Sequence, residues 1–250
     1  MDPYATAANA TLRIECGSSR GSGFHFLRPD IVITNYHVIA SGDSLAPSDI
    51  RGITERGQSF SLNLIASSPV DEHDYAILQT DSELPVERTT LLPKTMATLE
   101  RGVSLLFSGF PHGIPHLLVQ SAPIAGLLKE GVFYIDGSVN GGNSGGPIVD
   151  PSDERVVGMV TQRRFLGAQD MDDLSKGADR LRSYCQGMAG RGSAIIMGID
   201  FGGFAQMMAE ALVLIRQVLD ANANTGIGIG YSIEFVSTRC AQLGIAAAGR

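Results

Sequence analysis

The chain has 250 residues, 44% of them hydrophobic, and a formal net charge of −7. That apolar share is enough for a real core, and the length fits one large all-β domain or two small ones. The acidic balance and the lack of a basic stripe argue against nucleic acid as the main partner. No run of about 18 apolar residues is present to span a bilayer.

The 30 glycines and 11 prolines suit many turns between short strands. Cys16, Cys185 and Cys240 are odd in number and widely spaced, so they supply no disulfide framework. A reducing compartment is expected. The opening Met1-Asp2-Pro3-Tyr4-Ala5-Thr6-Ala7 has no basic region followed by an apolar core, so no signal peptide is read there. The expected location is cytoplasmic.

In chain order, residues 11–95 read as short strands between turn signals. Thr11–Cys16 alternates, and Gly21–Phe26 and Ile31–Thr34 flank an Arg28-Pro29-Asp30 turn, as a hairpin does. Ser59–Ala66 alternates, and Tyr75–Leu78 is a short buried run. The style repeats over Val103–Ser108, Leu117–Ser121, Gly131–Asp136, Pro147–Val149 and Val156–Thr161. Two blocks of about six strands predict an all-β fold of two six-stranded antiparallel β-barrels. The expected division is an N-terminal barrel over 1–95 and a C-terminal barrel over 96–250, joined near Leu91–Arg101. A cleft between barrels would bring distant segments together.

Residues 164–224 break the pattern and are read as a partly helical insertion. Met207, Met208, Ala211, Leu212, Ile215, Val218 and Leu219 recur at helical spacing. Gln169–Met188 predicts a second, weaker helix interrupted by Gly177, with a strand-like piece, Ala194–Ile199, between the two. The chain then returns to a strand at Gly226–Ile233, followed by a short helix through Cys240.

The chemistry is concentrated in Gly142-Asn143-Ser144-Gly145-Gly146-Pro147, a serine in a glycine-rich turn. A serine hydroxyl is a poor nucleophile at neutral pH. It needs a histidine to take its proton and a carboxylate to fix the histidine tautomer. His37, within Thr34-Asn35-Tyr36-His37-Val38-Ile39, and Asp74, opening Asp74-Tyr75-Ala76-Ile77-Leu78, are the candidates. Their order, His then Asp then Ser, is that of chymotrypsin-type peptidases. The turn also fits the G-x-S-x-G elbow of α/β-hydrolases, but there the histidine follows the serine. All five histidines (His25, His37, His73, His112, His116) precede Ser144, which excludes that reading. Gly42-Asp43-Ser44-Leu45 matches the nucleophile block of GDSL esterases, which also need a histidine near the C-terminus, and is read as a turn.

The residues resemble trypsin-like peptidases of the HtrA type in four places. Ile33–Ile39 looks like that family's histidine motif and Ser108–Gly113 like its glycine-proline turn. Ile135–Pro147, with Asp136 and Asn140, looks like its serine motif, and Gly226–Phe235 like its last barrel strand. The resemblance implies His37 as general base, Asp74 as its orienter and Ser144 as nucleophile. It implies a serine endopeptidase that needs no cofactor or metal and acts on protein or peptide. HtrA enzymes often carry a C-terminal PDZ domain, and none is expected within these 250 residues. The stretch between Thr161 and Gly226, a short loop in most relatives, holds about 60 residues here. A second alignment makes Ala194–Ile199 the last barrel strand and Phe204–Leu219 the C-terminal helix.

The oxyanion of acyl transfer needs fixed donors. The backbone N–H groups of Gly142 and Ser144, with Asn143 between them, are the expected hole, and each such donor contributes about 3 kcal/mol in the transition state. Asn143 offers no charge to pair with a newly cut N-terminal amine, so no activation by N-terminal cleavage is expected. By the resemblance, Ser138 sits at the base of the specificity pocket and Thr161-Gln162-Arg163 borders the substrate strand. Ser138 supplies no carboxylate for Lys or Arg, so a small or medium apolar P1 residue is the default. Arg163 or Arg164 reaching an acidic P1 side chain is the sharper alternative. Asp71-Glu72-His73-Asp74 reads as a solvated charge run, and His112 and His116 are not expected to share a zinc. The Met-rich helix reads as packing surface, or as a site for an activating partner or self-association through 164–224. The remaining alternatives are a latent peptidase-like module that captures peptides by strand addition, and an esterase or acyltransferase using the same triad.

Overall fold

The computed structural model describes residues 2–41, 44–45, 49–80, 88–128, 131–163, 168–190, 195–196, 199–222 and 226–247. It opens with a helix, α1 (Pro3–Ala10), that the sequence reading did not anticipate. The Asp2 carboxylate accepts the Tyr4 N–H at 3.1 Å, and proline stands in the first turn, where its missing N–H costs nothing. At the other end the Thr11 hydroxyl donates to the Ala7 carbonyl at 2.7 Å.

Six strands then close the first barrel: β1 (Thr11–Cys16), β2 (Ser19–Phe26), β3 (Arg28–Thr34) and, after two short pieces, β6 (Ile50–Ile53), β7 (Ser59–Ser68) and β8 (Tyr75–Gln79). The pieces between are a single helical turn, α2 (Tyr36–Ile39), and a two-residue hairpin, β4 (Ala40–Ser41) with β5 (Ser44–Leu45). Ser44 and Leu45 therefore belong to this hairpin, whereas Gly42 and Asp43 lie outside the described residues. The barrel order is β1-β2-β3-β8-β7-β6, with every pairing antiparallel. β6 carries a glycine within four residues, which leaves little periodicity to read from sequence.

The second barrel uses β9 (Ser104–Gly109), β10 (Leu118–Leu127), β11 (Val132–Asp136), β12 (Pro147–Asp150) and β13 (Arg155–Arg163). The chain then leaves it for helix α3 (Ala168–Ala189), the paired two-residue strands β14 (Ile195–Ile196) and β15 (Ile199–Asp200), and helix α4 (Phe201–Asn222). It returns with β16 (Ile227–Ser232) and ends in α5 (Glu234–Gln242). β16 lies between β11 and β13 and closes the order β10-β11-β16-β13-β12-β9. The alignment that placed Ala194–Ile199 in the barrel is thereby excluded. The architecture is the expected pair of closed six-stranded antiparallel barrels.

Residues 1–163 with 226–250 form one compact unit, and residues 164–225 form another. In the second unit α3 and α4 pack on each other. α3 runs through Gly177 without a break, because packing outweighs one residue's propensity.

Each barrel has its own core. Leu12, Ile14, Val32, Ile50, Leu62 and Leu78 fill the first, and Phe107, Phe133, Ile135, Ile148 and Val160 fill the second. A third cluster joins them. Phe24, Phe26, Ile31, Ile33 and Ile77 from the first barrel meet Val149, Val156 and Met159 from the second, along with Ala7, Val236 and Cys240 from the terminal helices. β3 explains its unbroken Ile-Val-Ile run this way: Val32 faces its own barrel and its neighbours face the interface. The connection between barrels is hydrogen-bonded at both ends. Leu91 exchanges backbone bonds with His25 and Leu27 (3.0 and 3.1 Å), and Lys94 N–H donates to Val156 (2.8 Å).

His25 is fully buried, stacked on Phe60 with ring centroids 6.3 Å apart, and neither ring nitrogen has a well-formed hydrogen bond among the described residues. Burial, reinforced by the Arg88 charge, lowers its pKa from 6.5 to about 4; the Pro29 backbone and Asp30 offset this only in part. The folded chain holds His25 neutral, while the unfolded chain protonates it below its ordinary value. Stability from this source is complete above pH 6.5 and falls as the pH drops toward 4. The loss amounts to about 3 kcal/mol across that window. Urea unfolding at pH 7 and pH 4.5 should show a smaller loss for His25→Phe than for the wild type, by about 2 kcal/mol; equal losses would rule out His25 as the cause.

Candidate active site

Asp74 is the most constrained residue of the site. It is 1% exposed and adopts a left-handed backbone conformation, with φ of 47°. Its own N–H donates to the Pro69 carbonyl at 3.0 Å, and its carbonyl accepts Asn35 Nδ2 at 2.7 Å, which fixes this unusual turn. The carboxylate accepts three donors. His37 supplies its backbone N–H (3.1 Å to Oδ1) and its ring Nδ1 (2.7 Å to Oδ2). Thr161 supplies its hydroxyl (2.6 Å to Oδ2). With Nδ1 holding the proton toward Asp74, His37 Nε2 is left as a base.

His37 stands in α2, directly after β3, and its side chain is about one-third exposed (35%). α2 packs Val38 and Ile39 into the first barrel, which turns His37 outward. Asn35, fully buried at the start of this turn, also donates to the Thr161 hydroxyl at 3.3 Å. It was visible as part of the histidine motif, but its contacts with Asp74 and Thr161 were not.

Ser144 belongs to the turn between β11 and β12. Ser22 of β2, fully buried, grips this turn from the first barrel. Its N–H donates to the Ser144 carbonyl (2.8 Å) and its hydroxyl to the Gly142 carbonyl (2.7 Å), while the hydroxyl accepts Phe110 N–H (2.9 Å). Gly142 has φ of 94° and Gly145 has φ of 84°, and a Cβ at either would collide with backbone, at Phe110 and Ser22 respectively. Only glycine fits.

Three amides of this turn are committed. Asn143 N–H goes to Asn140, Gly145 N–H to Val160 and Gly146 N–H to Asn143 (3.1, 2.7 and 2.9 Å). Gly142 and Ser144 N–H have no acceptor among the described residues. The Asn143 N–H is thus committed within the turn, unlike those of Gly142 and Ser144. Its side chain is 1% exposed, and its Oδ1 has no partner among the described residues. The Ser144 hydroxyl donates to the Thr161 carbonyl at 3.2 Å and makes no hydrogen bond to His37.

His37, Gly142 and Ser144 line one cleft of about 840 Å³. Ser138 does not line it; it is exposed, and its carbonyl accepts Asn140 Nδ2 at 3.2 Å. Thr161, expected as a border of the substrate strand, has its hydroxyl committed to Asp74, so only its backbone is available there. Gln162 and Arg163 end β13, paired with Ile229 and Gly228, but their side chains lie outside the described residues, as does all of Arg164. His73 packs its ring on Phe235 at 3.9 Å, and Glu72 accepts the Ser68 hydroxyl at 2.8 Å.

The family model described as a trypsin-like peptidase domain matches residues 21–159, more than half of the chain. The chain belongs to that family. Its relatives include Protease Do-like 1, chloroplastic, of Arabidopsis thaliana, 29% identical over 56% of this chain and 32% of that protein. Serine protease HTRA2, mitochondrial, of Bos taurus is 28% identical over 66% of this chain and 35% of its own length. The chain thus spans about a third of the length of these relatives. Among solved structures, an HtrA-type protease, AlgW with tripeptide, superposes with a TM-score of 0.63 at 18% identity, covering 98% of this chain and 62% of that one. A serine endoprotease from Yersinia pestis gives 0.55 at 24% identity, covering 65% and 57%. At these identities the structural likeness concerns the fold.

Removing the Thr161 hydroxyl leaves a buried carboxylate with one donor fewer. Thr161→Val should lower the unfolding free energy at pH 7 by about 2 kcal/mol, the scale of a hydrogen bond to a charged group, and Thr161→Ser by less than about 1. Equal stability of Thr161→Val and wild type in urea titrations would show that this bond contributes nothing.

Proposed function

We propose that the chain is a serine endopeptidase that hydrolyses peptide bonds through an acyl-enzyme. The observation that carries this reading is the Asp74–His37 Nδ1 pair, which leaves His37 Nε2 basic in the same cleft as Ser144. Ser144 Oγ attacks the scissile carbonyl while His37 takes its proton, and Asp74 stabilises the imidazolium without being protonated itself. The free N–H groups of Gly142 and Ser144 receive the oxyanion. His37 then protonates the leaving amine, and water repeats the sequence on the ester. To reach His37, the Ser144 hydroxyl gives up its bond to the Thr161 carbonyl by rotation about Cα–Cβ. Catalytic hydrogen bonds are often loose before substrate binds.

The substrates are proteins or peptides; nucleic acid and membrane are not proposed as partners. Ser138 favours a small or medium apolar P1 residue, and Arg163 or Arg164 would suit an acidic one. Cys16, Cys185 and Cys240 are all free, which supports a reducing, cytoplasmic setting. The 164–224 insertion is proposed to restrict the enzyme to few protein substrates, through an activating partner or self-association. In support, α4 exposes Phe204, Met207, Leu214 and Ile215, and α3 exposes Leu181 and Tyr184.

One observation favours a second reading, a latent peptide-binding module: Ser144 Oγ bonds to Thr161 rather than to His37. An esterase or acyltransferase with the same triad is separated from both by comparing peptide with ester turnover.

A fluorophosphonate probe should label the wild type, fail on Ser144→Ala, and react orders of magnitude more slowly with His37→Ala. A folded wild type that takes no label overturns the peptidase reading in favour of the latent module. Arg163 pairs with Gly228, so a short hairpin can replace residues 165–223. That deletion should broaden the set of sites cut in a peptide library, and an unchanged profile would remove the proposed role of the insertion.

A further inference from the structure

Among the described residues, the cleft beside Ser144 runs toward one side. It extends from His37 and Ser144 toward the β1–β2 turn and the Phe110–Pro115 loop, and neither Ser138 nor Thr161 lines it. If the acyl half of a peptide lies along the end of β13, near Thr161 and Ser138, the leaving half departs into this cleft.

The walls of the cleft carry an unusual charge for an acidic chain. Arg13, Arg20 and His112 line it, and among the described residues no Asp or Glu does. The strand register explains the arrangement. Glu15 stands directly opposite Arg20 across β1–β2, and Arg13 lies two residues from Glu15 on the same face, while Leu12 and Ile14 point into the barrel. Both guanidiniums share one carboxylate oxygen: Glu15 Oε1 lies 3.1 Å from Arg13 Nε and 3.6 Å from Arg20 Nε. Two cations against one anion leave a positive charge over. Neither guanidinium donates a well-formed hydrogen bond among the described residues, so both forks have donors to spare. Arg13 is held over the Phe110 ring, 6.0 Å from its centroid. His112 ties the two walls together, with its backbone N–H on the Gly141 carbonyl (2.7 Å) and its ring Nε2 at 3.3 Å from the Arg20 carbonyl. The recognition surface is thus built on a strand pair and a braced loop.

We infer that this cleft is the leaving-group subsite and that Arg13 and Arg20 select substrates with an acidic side chain within the first three residues after the scissile bond. The inference rests on the peptidase reading and adds a determinant to it. A carboxylate there receives charge-assisted bonds from the unspent guanidinium donors. A lysine or arginine there meets like charge.

The test is a peptide library of mixed sequence, digested by the full chain, with cut sites read by mass spectrometry, so that no P1 preference need be assumed. Wild type should cut peptides with Asp or Glu at the first three leaving-side positions about fivefold more often than those with Lys or Arg, the scale of one partly exposed charge contact. Arg20→Glu should abolish or reverse that ratio, and Arg13→Gln should reduce it. Thermal melting confirms that each variant is folded, and Arg20→Lys, which keeps the charge, should retain a bias. Wild-type cleavage with no acidic bias, or a bias that survives in both Arg20→Glu and Arg13→Gln, overturns the inference and leaves the peptidase reading intact. A wild type that cuts nothing and takes no fluorophosphonate overturns both.

Discussion

A carboxylate buried to 1% exposure is the constraint on which this structure turns. Taking such a charge out of water without donors costs several kcal/mol, so Asp74 is tolerable only where donors converge. Two of its three come from His37 in the first barrel and the third from Thr161 in the second. Neither barrel alone satisfies it. The Thr161 contact between the barrels and the orientation of His37 therefore share one oxygen atom, Asp74 Oδ2. Ser22 does the reciprocal work: it belongs to the first barrel and grips the Ser144 turn of the second through its N–H and its hydroxyl. Around these polar ties, the Phe24, Phe26, Ile31, Val149 and Met159 cluster supplies the non-directional part of the docking.

The same geometry explains why parts of the molecule were legible in the sequence and others were not. Strands with one face inward alternate, and β1 and β7 could be read on that basis. β3 and β8 are buried on both sides, and their short apolar runs between turn signals marked them instead. β16 was placed through its resemblance and its position before a helix. The nucleophile turn was legible because two of its glycines answer to backbone collisions that no other residue survives, and such positions leave a fixed spelling. α1 left almost no trace, since Pro3–Ala10 has weak amphipathy and only its Asp-Pro start marks a helix. The Thr161 hydroxyl left none. It meets Asp74 across 87 residues of chain, and no local pattern encodes such a contact. Arg13 and Arg20 were equally silent, because a cross-strand pair becomes visible only once the register is known.

Thr161 also links Asp74 and Ser144 in a way that spacing could not suggest. Its hydroxyl is on Asp74 and its carbonyl is on Ser144 Oγ. The resting hydroxyl is thus held away from His37 by the same residue that stabilises the carboxylate behind His37. One neutral bond at 3.2 Å is a small barrier to rotation of the hydroxyl, and so the committed part of the site is the Asp74–His37 pair rather than the serine. The Gly142 and Ser144 amides complete this asymmetry. They are fixed by neighbours that are themselves bonded, and among the described residues they have no acceptor, as the proposed oxyanion site requires.

The net charge of −7 and the proposed preference for an acidic leaving segment are not in conflict. Distance decides the matter. At physiological ionic strength the Debye length is about 8 Å, so most of that negative charge is screened from a side chain inside the cleft. Arg13 and Arg20 line that cleft, and between them they spend only one carboxylate. Contact charges in a partly enclosed groove are screened far less than distant surface charges. On the proposed reading, the net charge acts on the approach of a substrate at low salt, while the two guanidiniums select which leaving segment is held. Raising the salt weakens the first effect more than the second, so the proposed selectivity would survive conditions that remove long-range repulsion.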